Sequence, residues 1–162
     1  MASNGSIKLK GGLLNAQSVG NKTLVIRELI REEKFDLLAI SETWLNEYDN
    51  AKICEMTPTT HTFLHNPRME RRGGGVGIFL TNSFKKLRLF RTETFKSFEH
   101  MQVGCEIAGR NCIFIVVYRA PNLSIPIFID EFRLYLETID MVSANTFVCG
   151  DFNLWIDFQN SS

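Results

Sequence analysis

The chain has 162 residues, 44% hydrophobic and 22% charged, which suits one globular domain with a sizeable core and argues against a disordered or fibrous protein. Its 18 basic and 18 acidic residues cancel, so total charge singles out neither a nucleic acid nor a membrane surface as a partner. Cys54, Cys105, Cys112 and Cys149 form no CxxC pair and no zinc spacing with His61, His65 or His100. Reduced core thiols in a soluble intracellular protein are the expectation, since residues 1–6 are a polar tail and no apolar run approaches membrane-spanning length.

From residue 7 onward the chain reads as one domain to residue 162, without repeat or linker. Residues 6–14, "SIKLKGGLL", predict a strand that delivers Asn15 at its end. Lys22 to Glu33 predicts a short amphipathic helix, with Val25 and Leu29, then Ile26 and Ile30, at four-residue spacing. "FDLLAI" is a continuous apolar run, the mark of a strand covered on both faces. Strand, helix and strand make a βαβ unit, so Asn15 and Glu42 should emerge at one sheet edge if the strands are parallel neighbours.

Four strand-like segments follow, "GVGIFL", "KKLRLFRTE", "MQVGCEI" and "CIFIVVYR", which predict a meander with a tight turn at Gly109, Arg110 and Asn111. Pro126 suits a first helical turn, and Phe128, Phe132, Leu136 and Ile139 share one face of a helix running to Asp140. The strand "TFVCG" then completes a second strand, helix, strand unit and places Tyr118 and Asp151 at strand ends. The pattern predicts an α/β layered fold with strands of mixed direction, helices outside, and chemistry at the strand ends.

Charge is unevenly distributed along the chain. Eight Lys or Arg residues lie between Arg68 and Lys96 against Glu70 and Glu93, whereas Glu28 to Glu55 holds eight acids against three bases. A basic face beside an acidic one suits a polyanion next to a cation site, although solvated strand and loop faces account for the same counts.

Each candidate residue has a plainer reading of its own. Glu42 could cap a helix, Asp151 could close an Asx turn after Gly150, Asn15 and Asn153 could be turn residues, and Tyr118 with Arg119 could be a snorkelling strand end. Their recurrence argues otherwise, because Asn15, Glu42, Tyr118, Asp151 and Asn153 all stand where an apolar strand gives out. One Glu, one Asp, two Asn and a Tyr, without a nucleophilic Ser or Cys, suit metal-assisted phosphate ester hydrolysis. Magnesium accepts one or two carboxylates and keeps water and substrate oxygens, so Glu42 can anchor it, with Asp151 carrying a proton or orienting water. "RRGGGVG" is not a nucleotide phosphate loop, since no Lys-Ser/Thr follows and it leads into a strand. Arg71 and Arg72 within it remain candidates for a nucleic-acid backbone.

"LNAQS", "ISETWL", "RRGGGVGIFL", "VVYRAPN" and "VCGDFN", in this order, resemble the endonuclease/exonuclease/phosphatase superfamily with its DNase-I-like αββα sandwich. The "SETWL" and "YRAPN" versions are most similar to the apurinic-type endonuclease domain of non-LTR (LINE-type) retrotransposons. The resemblance implies a Mg²⁺- or Mn²⁺-dependent DNA nuclease. In it Glu42 is the principal metal ligand and Asn15 a phosphate contact, Tyr118 lines the site, and Asp151 with Asn153 supplies the water-activating or proton-donating acid and a phosphate-binding amide. It also implies nuclear action, and Arg71, Arg72 and Arg119 are the expected DNA-contacting residues.

Two departures from that pattern set further expectations. Position 17, an acid in repair-type relatives, is Gln17, and the family's final Ser-Asp-His motif has no counterpart among the 162 residues. The expectation is a fold incomplete at its C-terminus, with exposed sheet edges open to self-association or a partner and weak or absent nuclease activity. The alternatives are a non-catalytic remnant that binds DNA or a protein, and a relative acting on phosphoinositides.

Overall fold

The computed structural model describes residues 7–67, 73–90, 94–139 and 144–154. Eight strands and three helices follow in the order β1 (Gly11–Asn15), α1 (Thr23–Glu33), β2 (Leu37–Ser41), α2 (Asn50–Met56), β3 (His61–Asn66), β4 (Val76–Thr81), β5 (Lys85–Phe90), β6 (Glu99–Ile107), β7 (Arg110–Tyr118), α3 (Ile125–Glu137) and β8 (Asn145–Asp151). Two four-stranded sheets result, ordered β1-β2-β4-β3 and β5-β6-β7-β8.

The sheets pack face to face. Ala39, Val76, Ile78 and Leu80 from the first meet Met101, Val103, Phe114 and Val116 from the second in one buried cluster. On the outer face of the first sheet, Ile26 and Ile30 of α1 and Met56 of α2 cover Leu38, Ile40 and Phe79. On the outer face of the second, Phe128 and Tyr135 of α3 cover Ile115 and Val117. The architecture is therefore helix, sheet, sheet, helix, and β2, apolar on both faces, is buried from Leu38 to Ser41 as its continuous run requires.

Both predicted βαβ units form. β1 runs parallel to β2, with Asn15 opposite Ser41, and β7 runs parallel to β8, with Tyr118 opposite Asp151. β1 starts later than its alternating pattern suggests, because its one partner among the described residues, β2, begins at Leu37 and the ladder opens with Gly11 opposite it. In α1 the buried stripe runs through Ile26 and Ile30, while Val25 is 68% exposed, so the second of the two predicted spacings makes the core contact.

The four-strand meander does not hold as predicted. β5, β6 and β7 form one, but β4 pairs antiparallel with β2 and β3 in the other sheet. Its residues Val76 to Leu80 are buried on both faces, which only a central strand can satisfy. The β6–β7 hairpin turns one residue earlier than expected, at Ala108 and Gly109. Both have positive φ, 48° and 78°, the type I′ geometry that matches strand twist, and Arg110 and Asn111 already belong to β7. No helix among the described residues is long and apolar enough to cross a membrane.

Candidate active site

Parallel pairing delivers the polar strand ends to one place. Asn15 closes β1, Glu42 follows β2, and Asp151 closes β8, with β8 lying against both β1 and β2 across the two sheets. There the Asn15 Nδ2 amide donates to Glu42 Oε1 at 2.9 Å and to Asp151 Oδ2 at 2.7 Å. A single amide nitrogen thus joins carboxylates 27 and 136 residues away in sequence. Its carbonyl oxygen accepts from the backbone N–H of Gln17 at 3.2 Å, which fixes the amide's orientation. Two like charges held no further apart than two hydrogen bonds repel, and the amide between them compensates both.

The backbone that presents these groups is tightly bonded and partly strained. Ser18 N donates to Glu42 O at 2.8 Å, and Val19 N donates to Thr43 O at 3.1 Å. On the other side Thr43 N donates to Gly75 O at 3.2 Å and Trp44 N to Gly74 O at 2.9 Å. Gln17, Ser18, Glu42, Trp44 and Asn153 all have positive φ, between 45° and 83°. Left-handed geometry costs a non-glycine residue about 1 kcal/mol or more, and its concentration at three loops around one acid cluster is characteristic of functional sites. Gly150 is needed for a different reason: a Cβ there would stand 1.9 Å from the Val117 carbonyl oxygen of the neighbouring strand.

Asn153 is tied to the same frame. Its backbone N–H donates to Asp151 Oδ1 at 3.1 Å, the Asx turn that sequence alone allowed, and its Nδ2 donates to the Arg119 carbonyl at 2.7 Å. That bond commits one amide N–H, and the other has no partner among the described residues. Tyr118 is 5% exposed and sits in the core between the sheets, opposite Asp151 on one side and Glu99 on the other.

Arg119 does not reach the surface, which corrects its expected contact with DNA. It is 1% exposed, and its guanidinium donates to the backbone carbonyls of Phe152 (2.6 Å), Ala120 (3.4 Å), Leu123 and Asn153. An arginine that spends four of its five N–H donors on carbonyls of the segments after β7 and β8 locks those segments together, and its burial keeps the guanidinium from a surface phosphate. Arg71 and Arg72 lie outside the described residues. So does much of the basic stretch around them.

One contributor escaped the sequence reading. Glu99 opens β6 and accepts the Gly75 N–H at 2.6 Å, which anchors the glycine turn that in turn holds Thr43 and Trp44. Because β6 is antiparallel to β7, its first residue shares the sheet end where β7 finishes. An acid at the start of a strand, with an antiparallel partner bearing a candidate at its end, was the available signal.

The donor set can be tested for a metal on its own chemistry. Among the described residues no group of three or more His, Cys, Asp or Glu converges as a complete ligand cage. Two carboxylates joined at one amide, without nitrogen or sulfur donors, fit a hard oxygen-seeking ion such as Mg²⁺, which keeps water and substrate oxygens in its shell. They do not fit a zinc site.

The three histidines take no part. His61 bonds the Phe35 carbonyl through Nε2 at 2.9 Å, and His65 stacks on Phe63. His100 is 5% exposed among Phe95, Phe98 and Tyr135, where burial pushes its imidazole down to about 4.

Comparison with known structures finds the same fold at low identity. A humanized TDP2 from D. rerio superposes with a TM-score of 0.65 at 14% identity, covering 89% of this chain and 62% of that one. The AP endonuclease LMAP from Leishmania major gives 0.65 at 15% identity, with coverage of 89% and 54%. The endonuclease domain of TRAS1, a telomere-specific non-LTR retrotransposon, gives 0.63 at 12% identity, with coverage of 88% and 59%. The chain therefore spans somewhat more than half the length of these structures. A search of the curated proteins found no match. The model of the Endonuclease/Exonuclease/phosphatase family matches residues 9–161. With the DNase-I-like sandwich and these neighbours, that match over nearly the whole sequence means that the chain belongs to the endonuclease/exonuclease/phosphatase family.

Proposed function

We propose that the strand-end cluster is a divalent-metal-dependent phosphodiesterase centre of retrotransposon DNA-endonuclease type. The observation that carries this reading is the bridging of Glu42 and Asp151 by the Asn15 amide. Glu42 is the principal ligand of a Mg²⁺ or Mn²⁺ ion, and Asp151 lies across the amide from it. Bound there, the ion supplies a Lewis acid for the phosphoryl oxygen and steadies the leaving group. Asp151 orients the attacking water or carries its proton. Asn15 holds both carboxylates in place and would give up one of its two N–H bonds to a phosphate oxygen. Asn153 adds its uncommitted N–H, while the buried Tyr118 supports the Asp151 strand end from beneath.

DNA is the substrate this reading favours. Support comes from neighbours that include a D. rerio TDP2 complexed with single-strand DNA product and the TRAS1 endonuclease domain. Cleavage by the 162-residue chain should be slow, since none of its histidines reaches the carboxylates. One positioned donor to transition-state charge is worth about 100-fold in rate or more. The same shortage supports a second reading, DNA binding without cleavage. Association through β8 also belongs to this proposal, because among the described residues β8 pairs with β7 alone.

Nicking of supercoiled plasmid, with Mg²⁺ or with chelator, and with an Asp151→Asn control, tests the reading. Slow nicking that needs both Mg²⁺ and Asp151 supports it. Salt-sensitive binding without nicking selects the second reading. Hydrolysis of inositol phosphates in place of DNA would transfer the site to a phosphatase relative.

A further inference from the structure

Trp44 stands apart from the other exposed aromatic residues because of how it is held. Its neighbours Thr43 and Leu45 are 0% and 4% exposed, yet the indole is 42% exposed. Its backbone N–H is bonded to Gly74 O, and that of Thr43 to Gly75 O, while Leu45 N donates to the Thr43 hydroxyl at 3.4 Å. Both Glu42 and Trp44 are in the left-handed region, with φ of 54° and 53°. A lone exposed aromatic is ordinary on a protein surface. One clamped from both sides of its chain in a costly backbone conformation, two residues from a catalytic carboxylate, is not.

The local sequence also keeps the ring open. Gly73, with φ of 91°, faces the indole edge, and a Cβ built there would lie 3.6 Å from Trp44 Nε1. A side chain at this position would be in contact distance of the indole. The glycine leaves that edge clear. Among the described residues the indole N–H has no hydrogen-bond partner. Two residues of chain separate the Cα atoms of Glu42 and Trp44 by at most about 7 Å, so a ligand phosphate at Glu42 brings an adjoining nucleoside within reach of the ring.

We propose that Trp44 is a stacking platform for one unpaired base of the nucleic-acid strand whose phosphate is held between Glu42 and Asp151. The proposal rests on the phosphodiesterase reading of that cluster and specifies single-stranded or locally unpaired nucleic acid as its ligand. A rigidly held ring binds a base with little ordering cost, and because every base has a π face the contact tolerates any sequence.

The test is anisotropy of a labelled oligothymidylate with a phosphorothioate backbone, titrated with the chain and with Trp44→Ala, Trp44→Leu and Trp44→Phe, all in Ca²⁺ so that the two carboxylates are compensated and no strand is cut. Thermal melts confirm that each variant is folded, and Leu retains apolar bulk should Ala destabilise the loop. Loss of the π face in Ala and Leu should weaken binding about 5- to 100-fold, with Phe within about threefold of the parent. An oligomer of the same length made of abasic sugar-phosphate should bind all four forms alike. Unchanged binding in Ala and Leu overturns the proposal, as do equal losses in Phe and Ala, or no oligothymidylate binding by the parent. Plasmid nicking in Mg²⁺ reads the phosphodiesterase centre separately. A chain that binds through Trp44 but never nicks retains the platform and loses the catalytic reading.

Discussion

α1 and α3 each bridge two parallel strands, and each unit delivers two polar strand ends to the same site. Their surroundings differ. α1 buries Ile26 and Ile30 on β2 and turns Glu28, Arg31, Glu32 and Glu33 to solvent, with Leu24 and Val25 its exposed apolar residues. α3 buries Phe128 and Tyr135 but also exposes Ile125, Ile127, Ile129 and Leu134. Beside it, Phe128, Phe132, Leu136, Phe152 and Leu154 line an open apolar groove of about 600 Å³. β8 carries half-exposed Phe147 and Val148. Equivalent topology therefore brings polar strand ends together, while the two units are sealed to different degrees. Placement of those ends depends on strand register, and packing depends on what lies further out.

If the two units contribute equally to one centre, removing a carboxylate from either should be equally damaging. Glu42→Gln and Asp151→Asn are each expected to reduce Mg²⁺-dependent nicking about 100-fold or more, measured as initial rates. A large loss from one alone would break the symmetry of the comparison. Next in size is Gly150→Ala, which drives a methyl group into the Val117 carbonyl and should destabilise the β7–β8 pair by about 3 kcal/mol in chemical denaturation. The corresponding change in the α1 unit, Gly12→Ala, should cost less, since its methyl would meet the Leu38 and Phe35 side chains at 2.9 Å and not a backbone carbonyl.

Arg119→Lys sharpens the same contrast. A lysine has no planar fork to serve four carbonyls, so stability should fall by about 2 kcal/mol, read as a lowered denaturation midpoint. The salt dependence of DNA binding should stay unchanged, because the guanidinium is buried. An altered salt slope would return Arg119 to the DNA interface.

The pH dependence of the second sheet is expected to follow His100. Its folded pKa, lowered to about 4 by burial, lies below the ordinary value of 6.5, so the unfolded chain binds the proton more readily. Stability is then fully present above pH 6.5 and declines as pH falls toward 4, by at most about 3 kcal/mol. Thermal melts of the chain and of His100→Phe between pH 7 and 4 should show a shallower decline in the variant. Parallel curves would mean that carboxylates dominate the acid limb.

Much of the site was legible because strand ends are marked twice in sequence, by an apolar run that stops and by a polar residue that follows. Asn15, Glu42 and Asp151 do stand where their strands end, and parallel pairing brings the three candidates together. Sheet membership was harder. β4 follows the same short, apolar style as β5 to β7, and only its burial on both faces reveals a central strand of the other sheet. α2 and β3 carry weak patterns, seven and six residues long, that tertiary packing alone stabilises. The burial of Arg119 was not legible because a cation after a strand looks solvated, whereas two of the four carbonyls it satisfies come from a segment more than thirty residues later.

The most direct test of the central claim is Mn²⁺ binding followed by electron paramagnetic resonance, comparing the chain with Glu42→Gln and Asn15→Ala. One bound ion per chain, lost in Glu42→Gln and weakened in Asn15→Ala, is the result this account predicts. An ion held with equal affinity by all three, or none held by the parent chain, would contradict it.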